Sequence, residues 1–257
     1  VSKLAKANGF ENDVRADFSD EERLGKGQDM VSKLGQLIGI FQDLDFADNR
    51  VDNDDLLGDA YEYLMQKFAS ESGKDKGQFY TPAEVSRIIA QIVGIGPKTK
   101  PSHTLYDPTC GSGSLLLKAA ALAPRGITVY GQEMDIATVS MARMNMILHG
   151  MEEADLRQGN TIAAPQFKDG DRLQKFDFAV SNPPFSWKTW TNGYNAVTES
   201  KTFKRFELGT PPEKNGDYAF LLHVLTSLKS KGKAVIVLPH GVLFRGNKEA
   251  EIRRELI

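Results

Sequence analysis

The run Phe176-Asp177-Phe178-Ala179-Val180 ends in Ser181-Asn182-Pro183-Pro184-Phe185. Two consecutive prolines have no N–H to give a sheet ladder, so a buried strand stops there. It stops in an amide, two stiff residues and an aromatic ring. Those groups suit a planar amino group conjugated to a ring, whose nitrogen is a poor nucleophile because its lone pair is delocalised. The Asn182 side-chain oxygen and the Pro183 carbonyl can accept both amine hydrogens and draw them out of the ring plane, which localises the lone pair. Pro183 and Pro184 hold the acceptors rigid before reaction, and Phe185 can stack on the heterocycle. The amine can then attack an electrophilic methyl in line, with no strong base beforehand, and water or Asn182 takes the proton afterwards. A base within duplex DNA must first be flipped out, and ring stacking offsets part of that unstacking. The bland alternative is a polar turn above a buried phenylalanine.

A second group of residues could hold the methyl donor. Asp107-Pro108-Thr109-Cys110-Gly111-Ser112-Gly113-Ser114 reads as a tight strand-to-helix turn. Gly111 and Gly113 permit positive φ and close approach of backbone to a ligand, and the helix start behind them offers N–H groups to an anion. The dinucleotide fingerprint needs a third glycine where this chain has Leu116, so a pyrophosphate cradle is less favoured. A carboxylate, such as the amino-acid end of S-adenosylmethionine, asks less of the loop. Asp107 would then lie near the ammonium and sulfonium charges. The competing reading is a capping turn with Asp107 as an exposed cap. Glu133, 26 residues beyond Asp107, can accept hydrogen bonds from ribose hydroxyls, which nicotinamide dinucleotides and S-adenosylmethionine both carry. Asp135 reads as the N-cap of the next helix. Cys110 reads as a small turn residue with no base paired to it.

These residues need elements to place them. From Thr81 onward, strands at 103–108, 128–134, 154–161, 176–184 and 233–241 alternate with helices. Thr81, Pro82 and Glu84 read as a capping box that opens a helix stopped by Gly94. The stretch 216–232 reads as one helix, and 251–257 begins another. This alternation predicts parallel βαβ units in an open, doubly wound, mainly parallel α/β sheet. Ligands of such sheets bind outside the carboxyl ends of the strands. Asp107 to Gly113, Glu133, Asn160 and Asn182 to Phe185 fall at four such ends. Residues 1–75 are polar and helix-leaning, with helical spacing of apolar residues over 56–68 and a linker at 70–77. They predict an N-terminal helical domain ahead of a catalytic domain over 76–257.

With 257 residues, 40% of them hydrophobic, and a formal net charge of −2, the chain is no basic, self-sufficient nucleic-acid binder. Action on DNA would need a local basic patch or a partner that supplies phosphate contacts. One cysteine excludes an internal disulfide and suits a reducing, cytoplasmic setting. No apolar run approaches the roughly 18 residues of a membrane span, and the first residues lack the apolar core of a signal peptide. The histidines at 103, 149, 223 and 240 are scattered without ligand spacing, so no metal site is expected. Met141, Met144 and Met146 read as core. The loop 186–209 interleaves Trp187, Trp190, Tyr194, Phe203 and Phe206 with Lys188, Lys201, Lys204 and Arg205. It could meet phosphates and exposed bases, or fold its aromatics onto the domain.

In their order, DPTCGSGS, GQEMD and SNPPF resemble the class I S-adenosylmethionine-dependent amino-methyltransferases of DNA, with their Rossmann-like fold. GQFYTP (77–82) is similar to the segment ahead of the glycine loop in adenine-N6 enzymes. Together with LGDAYEYLMQKFA and MARMNMILHG it resembles the modification subunit of type I restriction-modification systems, over roughly residues 55 to 250. The resemblance implies that Gln78, Phe79, Tyr80, Thr81 and Pro82 touch the methionine end of the cofactor. It implies that Pro108, Thr109, Gly111, Ser112, Gly113 and Ser114 line the same pocket. It gives Glu133, with the adjoining Met134, the adenosine, and Asn182 to Phe185 the target adenine. At Asn160 many relatives of the fold carry an acid for the cofactor adenine, where this chain offers both a donor and an acceptor. The resemblance further implies double-stranded DNA as substrate, separate specificity and restriction subunits, and a second copy of the modification subunit. It also implies sheet strands and an assembly region beyond residue 257. Rival readings are a protein-glutamine or RNA methyltransferase with the same Asn-Pro-Pro-aromatic site, a non-catalytic assembly or DNA-clamping module, and a nicotinamide dehydrogenase.

Overall fold

The computed structural model describes residues 25–42 and 81–257, together with Glu21, Tyr61 and Tyr63. The chain divides into two units, Val1–Tyr61 and Glu62–Ile257. In the first, helix α1 (Gln28–Gln42) leaves Val31 and Ile38 exposed. Most of the helical stretch expected over 56–68, the linker at 70–77 and the segment 77–80 lie outside the described residues.

The second unit is built on a five-stranded parallel sheet. Its strands are β1 (Thr104–Asp107), β2 (Thr128–Glu133), β3 (Asp155–Gln158), β6 (Phe176–Ser181) and β7 (Leu228–Ile236), in the order β3-β2-β1-β6-β7. A two-residue-per-strand ribbon, β4 (Lys168–Asp169) with β5 (Arg172–Leu173), precedes β6. The ribbon has no apolar alternation long enough to be read from sequence. The first three main strands run outward one way from β1, and the last two run the other way. The order therefore reverses between β1 and β6, where α/β sheets bind ligands.

Successive residues of a strand face opposite sides; the core follows that rule in β1 and β2, and β6 departs from it where its register shifts between Phe176 and Phe178, so that Phe176 and Val180 lie on opposite faces. Leu105, Val129 and Val180 face helices α2 (Ala83–Val93), α3 (Ser114–Ala120) and α4 (Ile136–Leu148), packing on Ile89, Leu116 and Met146. Tyr106, Tyr130 and Phe176 face the other side and form an aromatic cluster with Phe167. The rings of Tyr106 and Phe176 stack at 4.3 Å. A third cluster joins α5 (Asp217–Thr226) and α6 (Asn247–Leu256) with Trp190 and Phe206 of the long loop. Met146 is buried, whereas Met141 and Met144 are half-buried. Gly131 is required by packing: a Cβ there would lie 2.6 Å from Leu156 Cδ2 and 3.0 Å from Cys110 Sγ.

Several expected boundaries move. The capping box does not form, because Pro82, with ψ 141, is itself the N-cap and Ala83 is the first helical residue. Ser86 N–H closes the first turn on the Pro82 carbonyl at 2.9 Å. Gly94 does end the helix, in the left-handed conformation at φ 84. The helix expected over 216–232 ends at Thr226, and Leu228 already pairs with Phe176. From there β7 advances five residues while β6 advances two, from Phe176↔Leu228 to Phe178↔Lys233. Gly232 fits this bulge because a Cβ would come within 2.9 Å of the Phe176 carbonyl. Lys229, paired with Asp177 at 2.7 Å, ties the bulged segment to its neighbour. The third strand is shorter than expected, Asp155–Gln158 rather than 154–161. Among the described residues no helix is long and apolar enough to cross a membrane.

Candidate active site

The ends of β1 and β6 meet at the reversal of strand order. Thr109 Oγ1 and Ser181 Oγ lie 2.9 Å apart and join the glycine loop to the Asn-Pro-Pro-Phe strand end. Thr109 N–H also donates to Asp107 Oδ1 at 2.9 Å. Asp107 is 1% exposed, so it is no exposed cap. Burial, with the Glu133 charge nearby and despite the Thr109 hydrogen bonds, pushes its carboxyl up to about 7.

The glycine loop follows. Gly111 and Gly113 take φ 53 and 80, conformations favouring glycine. Asn145 of α4 donates to the Ser112 carbonyl at 3.0 Å. The Ser112 and Ser114 hydroxyls face each other at 2.9 Å and are buried. Cys110 is buried too, and burial first, then the charges of Asp107 and Glu133, push its thiol well up. It is a packing residue under Gly131. Glu133, at the end of β2, accepts from Gly111 N–H at 3.2 Å and from Asp135 N–H at 2.9 Å. Burial raises its carboxyl as well. Asp135 caps α4, accepting from Thr138 N–H at 2.9 Å.

Beside Glu133 is a cleft of about 160 Å³. Pro108, Thr109, Glu133, Met134 and Asn160, expected at the cofactor, line it together with Pro184, expected at the target adenine. Gly159, Thr161, Trp187 and Phe220 line it too and were not assigned to the cofactor. Met134 is 52% exposed. Asn160 Oδ1 accepts from the N–H groups of Ile162 and Ala163, at 3.0 and 3.1 Å, so its oxygen closes its own turn. Thr161 Oγ1 donates to the Pro108 carbonyl at 2.5 Å and fastens the third strand end to the first. A larger hollow of about 640 Å³ lies near the start of β2, lined by Thr128, Gly150 and Ala154 among others, and holds none of the groups just described.

On the other side of the junction, Asn182 Nδ2 donates to Thr81 Oγ1 at 3.2 Å. Pro183 is buried, Pro184 half-buried, and Phe185 44% exposed. Gln78, Phe79 and Tyr80 lie outside the described residues. The chain turns sharply after Phe185. Ser186 takes φ 50 and donates its N–H to Asp217 Oδ1 at 2.6 Å. Asp217, fully buried at the start of α5, also accepts from Arg245 at 2.5 Å. The Gly216 N–H donates to the Trp187 carbonyl at 3.0 Å, and Trp187 stacks on Phe220.

The loop at 186–209 folds much of itself onto the domain. Trp190 and Phe206 are in the core and Arg205 is 2% exposed, whereas Lys188, Lys201 and Lys204 face solvent. Arg205 makes a two-pronged ion pair with Glu199 at 2.5 and 2.9 Å. It also donates to the carbonyls of Thr161 and Ile162, at 3.1 and 2.7 Å. Its Nη1 lies 3.2 Å from His223 Nδ1. A guanidinium only donates, so Nδ1 accepts, and Nε2 carries the hydrogen toward Tyr106 Oη, 3.1 Å away. Burial, then Arg205, hold the His223 imidazole well below its ordinary pKa, and therefore neutral.

A pair of carboxyls, Asp107 fully and Glu133 partly buried and both raised by burial, suits a ligand that brings positive charge and hydroxyl hydrogens. The amino-acid and ribose ends of S-adenosylmethionine bring those, so the residues present fit that group. Among the described residues no group of three or more His, Cys, Asp or Glu side chains could hold a metal ion.

The N-6 DNA Methylase family model matches residues 52–257. The chain belongs to that family. This N-6 DNA methylase chain is 33% identical over 238 residues to the MpnII type I restriction enzyme methylase subunit of Mycoplasma pneumoniae, covering 88% of the present chain and 43% of that protein. It is 34% identical over 232 residues to the MjaVIII methylase subunit of Methanocaldococcus jannaschii, covering 86% and 38% respectively. It therefore spans less than half the length of these relatives. Among solved structures, the type I restriction-modification methyltransferase subunit of Streptococcus thermophilus superposes with TM-score 0.79 at 36% identity, over 99% of this chain and 55% of that one. A class I S-adenosylmethionine-dependent methyltransferase of Listeria monocytogenes, at 15% identity and TM-score 0.65, shares the fold. The N-6 DNA methylase fold here is thus the Rossmann-like class I type.

Proposed function

We propose that this chain carries the catalytic centre of an adenine-N6 DNA methyltransferase, the modification subunit of a type I restriction-modification system. The observation that supports it most is the junction of β1 and β6, where Thr109 and Ser181 bind the glycine loop to Asn182-Pro183-Pro184-Phe185. A methyl-donor pocket and an amine-acceptor motif thereby share one edge of the sheet.

S-adenosylmethionine supplies an electrophilic methyl on a positively charged sulfur. Asp107 and the Gly111–Gly113 turn hold the amino-acid end, Glu133 accepts from the ribose hydroxyls, and Pro108, Met134 and the turn at Asn160 enclose the adenine. Thr81 and Pro82 close the methionine side. Asn182 and the Pro183 carbonyl accept the two hydrogens of a flipped adenine's amine, and Phe185, already exposed, stacks on its ring. Held there, the donor would give its methyl carbon to the amine nitrogen in exchange for its bond to sulfur, and water would take the extra proton. The site recognised in double-stranded DNA is read by a specificity subunit. A second modification subunit and a restriction subunit complete the assembly, which works in the cytoplasm.

Asn182→Ala tests this reading in the full-length protein with its co-purifying partners. Transfer of labelled methyl to unmodified DNA falls by at least about a hundred-fold, the order seen when one preorganised polar group is removed, while affinity for S-adenosylmethionine stays within about two-fold. Equal loss of both, or transfer to RNA or peptide in preference to DNA, rejects it.

A further inference from the structure

Thr81 was expected to cap α2, and it does not. Pro82 takes the cap, which leaves the Thr81 side chain one residue outside the helix. Its hydroxyl oxygen accepts from Asn182 Nδ2 at 3.2 Å, across 101 residues of sequence. Its carbonyl accepts from Ser86 Oγ at 3.4 Å, and the Ser86 N–H holds the Pro82 carbonyl at 2.9 Å. Thr81 is therefore fastened to the first turn of α2. That helix is itself fixed by Ile89, Ala90 and Val93 in the same core as Val180 of β6. Both partners of the hydrogen bond sit on rigid elements.

An asparagine side chain turns about its χ torsions, and its amide oxygen meets an amine hydrogen from only part of that range. We propose that Thr81 is a positioning residue: the hydrogen bond from Asn182 Nδ2 to its hydroxyl holds the amide in place at the end of β6, where its oxygen can accept from the target amine. This rests on the reading of Asn182 as the amine acceptor. It gives Thr81 a task separate from contact with the cofactor.

The two tasks predict different kinetics. A cofactor ligand lost at residue 81 weakens binding and leaves turnover at saturation intact. A lost positioning bond lowers turnover and leaves binding intact. The experiment uses the full-length protein with its co-purifying subunits and compares Thr81→Val, Thr81→Ser and Asn182→Ala. S-adenosylmethionine affinity is measured by calorimetry and methyl transfer to unmodified DNA at saturating cofactor. Thr81→Val keeps the shape and removes the hydroxyl. It lowers kcat about ten-fold, the equivalent of about 1.4 kcal/mol, with cofactor affinity within about two-fold, which also shows that the variant folds. Thr81→Ser restores most of kcat. The inference is overturned if Thr81→Val raises the cofactor Kd and leaves kcat unchanged, or if Thr81→Ser is as impaired as Thr81→Val. An inactive Asn182→Ala beside a fully active Thr81→Val overturns the Thr81 assignment alone. An Asn182→Ala variant that transfers methyl at the normal rate overturns the reading of the site, and this inference with it.

Discussion

Asp107 is held in a setting that disfavours its charge. A rise from 3.8 to about 7 makes its ionised form about 4 kcal/mol less stable in the folded chain than in water. A carboxyl with a higher pKa folded than unfolded binds its proton more tightly in the folded state. Its favourable contribution is complete below about pH 4 and is lost as pH rises through about 7. The ligand-free protein therefore loses stability over that interval. Asp107→Asn flattens the dependence, though not wholly, because Glu133 is raised by burial in the same direction. Urea midpoints at pH 4.5, 6 and 7.5, chosen to bracket that interval, measure the slope, and an unchanged slope in Asp107→Asn contradicts the assignment. Asp107, Glu133 and Asn182 could be read from sequence because each ends a strand within a motif of recognisable residue types. Asp217, which grips Ser186 N–H from 31 residues away, belongs to no local pattern. The orientation of Thr81 was hidden for a related reason: its partner lies on another element, and the local pattern favoured a cap.

At the scale of elements, the long loop is pinned by charge as well as by apolar packing. Arg205 and Glu199 are 2% and 4% exposed, and their pair bridges the loop to the carbonyls that follow Asn160. Removing one member leaves a buried, uncompensated charge, and such changes typically cost about 3–5 kcal/mol. Glu199→Leu and Arg205→Met are each expected to lower the unfolding free energy by about that much. The double variant Glu199→Leu/Arg205→Met should lose clearly less than the two single losses added together. Denaturant titrations of the three variants decide, and strict additivity argues against a coupled pair. Basic and aromatic residues in the loop left two readings open, and their spacing could not separate Arg205 from the solvent-facing lysines. Burial separates them. Likewise, Lys229 to Gly232 resembled a polar helix end, because the pairing that makes them strand comes from β6.

For the molecule as a whole, a net charge of −2 over 257 residues leaves little attraction for a polyanion. If a partner supplies the phosphate contacts, the salt dependence of DNA binding belongs to the complex. Six to ten such contacts give a slope of log K against log salt of about −5 to −9. The full-length chain alone should show a much shallower slope, and the complex with its co-purifying partners the full one. Fluorescence anisotropy at several salt concentrations measures both, and equal slopes contradict that division of labour. The alternation of strands and helices made the sheet legible at this scale, since hydrophobic period and strand length are local. The bulge in β7 and the β4–β5 ribbon were not, because each is set by what lies across from it.

Ser186 bends left-handed at φ 50, a backbone region that serine enters only at some energetic cost. Nothing in its own side chain prefers that bend. The corner just past the aromatic ring is therefore a spring kept wound by the Asp217 carboxylate, itself steadied by Arg245. Release of that grip would let the corner unwind and swing the Phe185 ring off its mark.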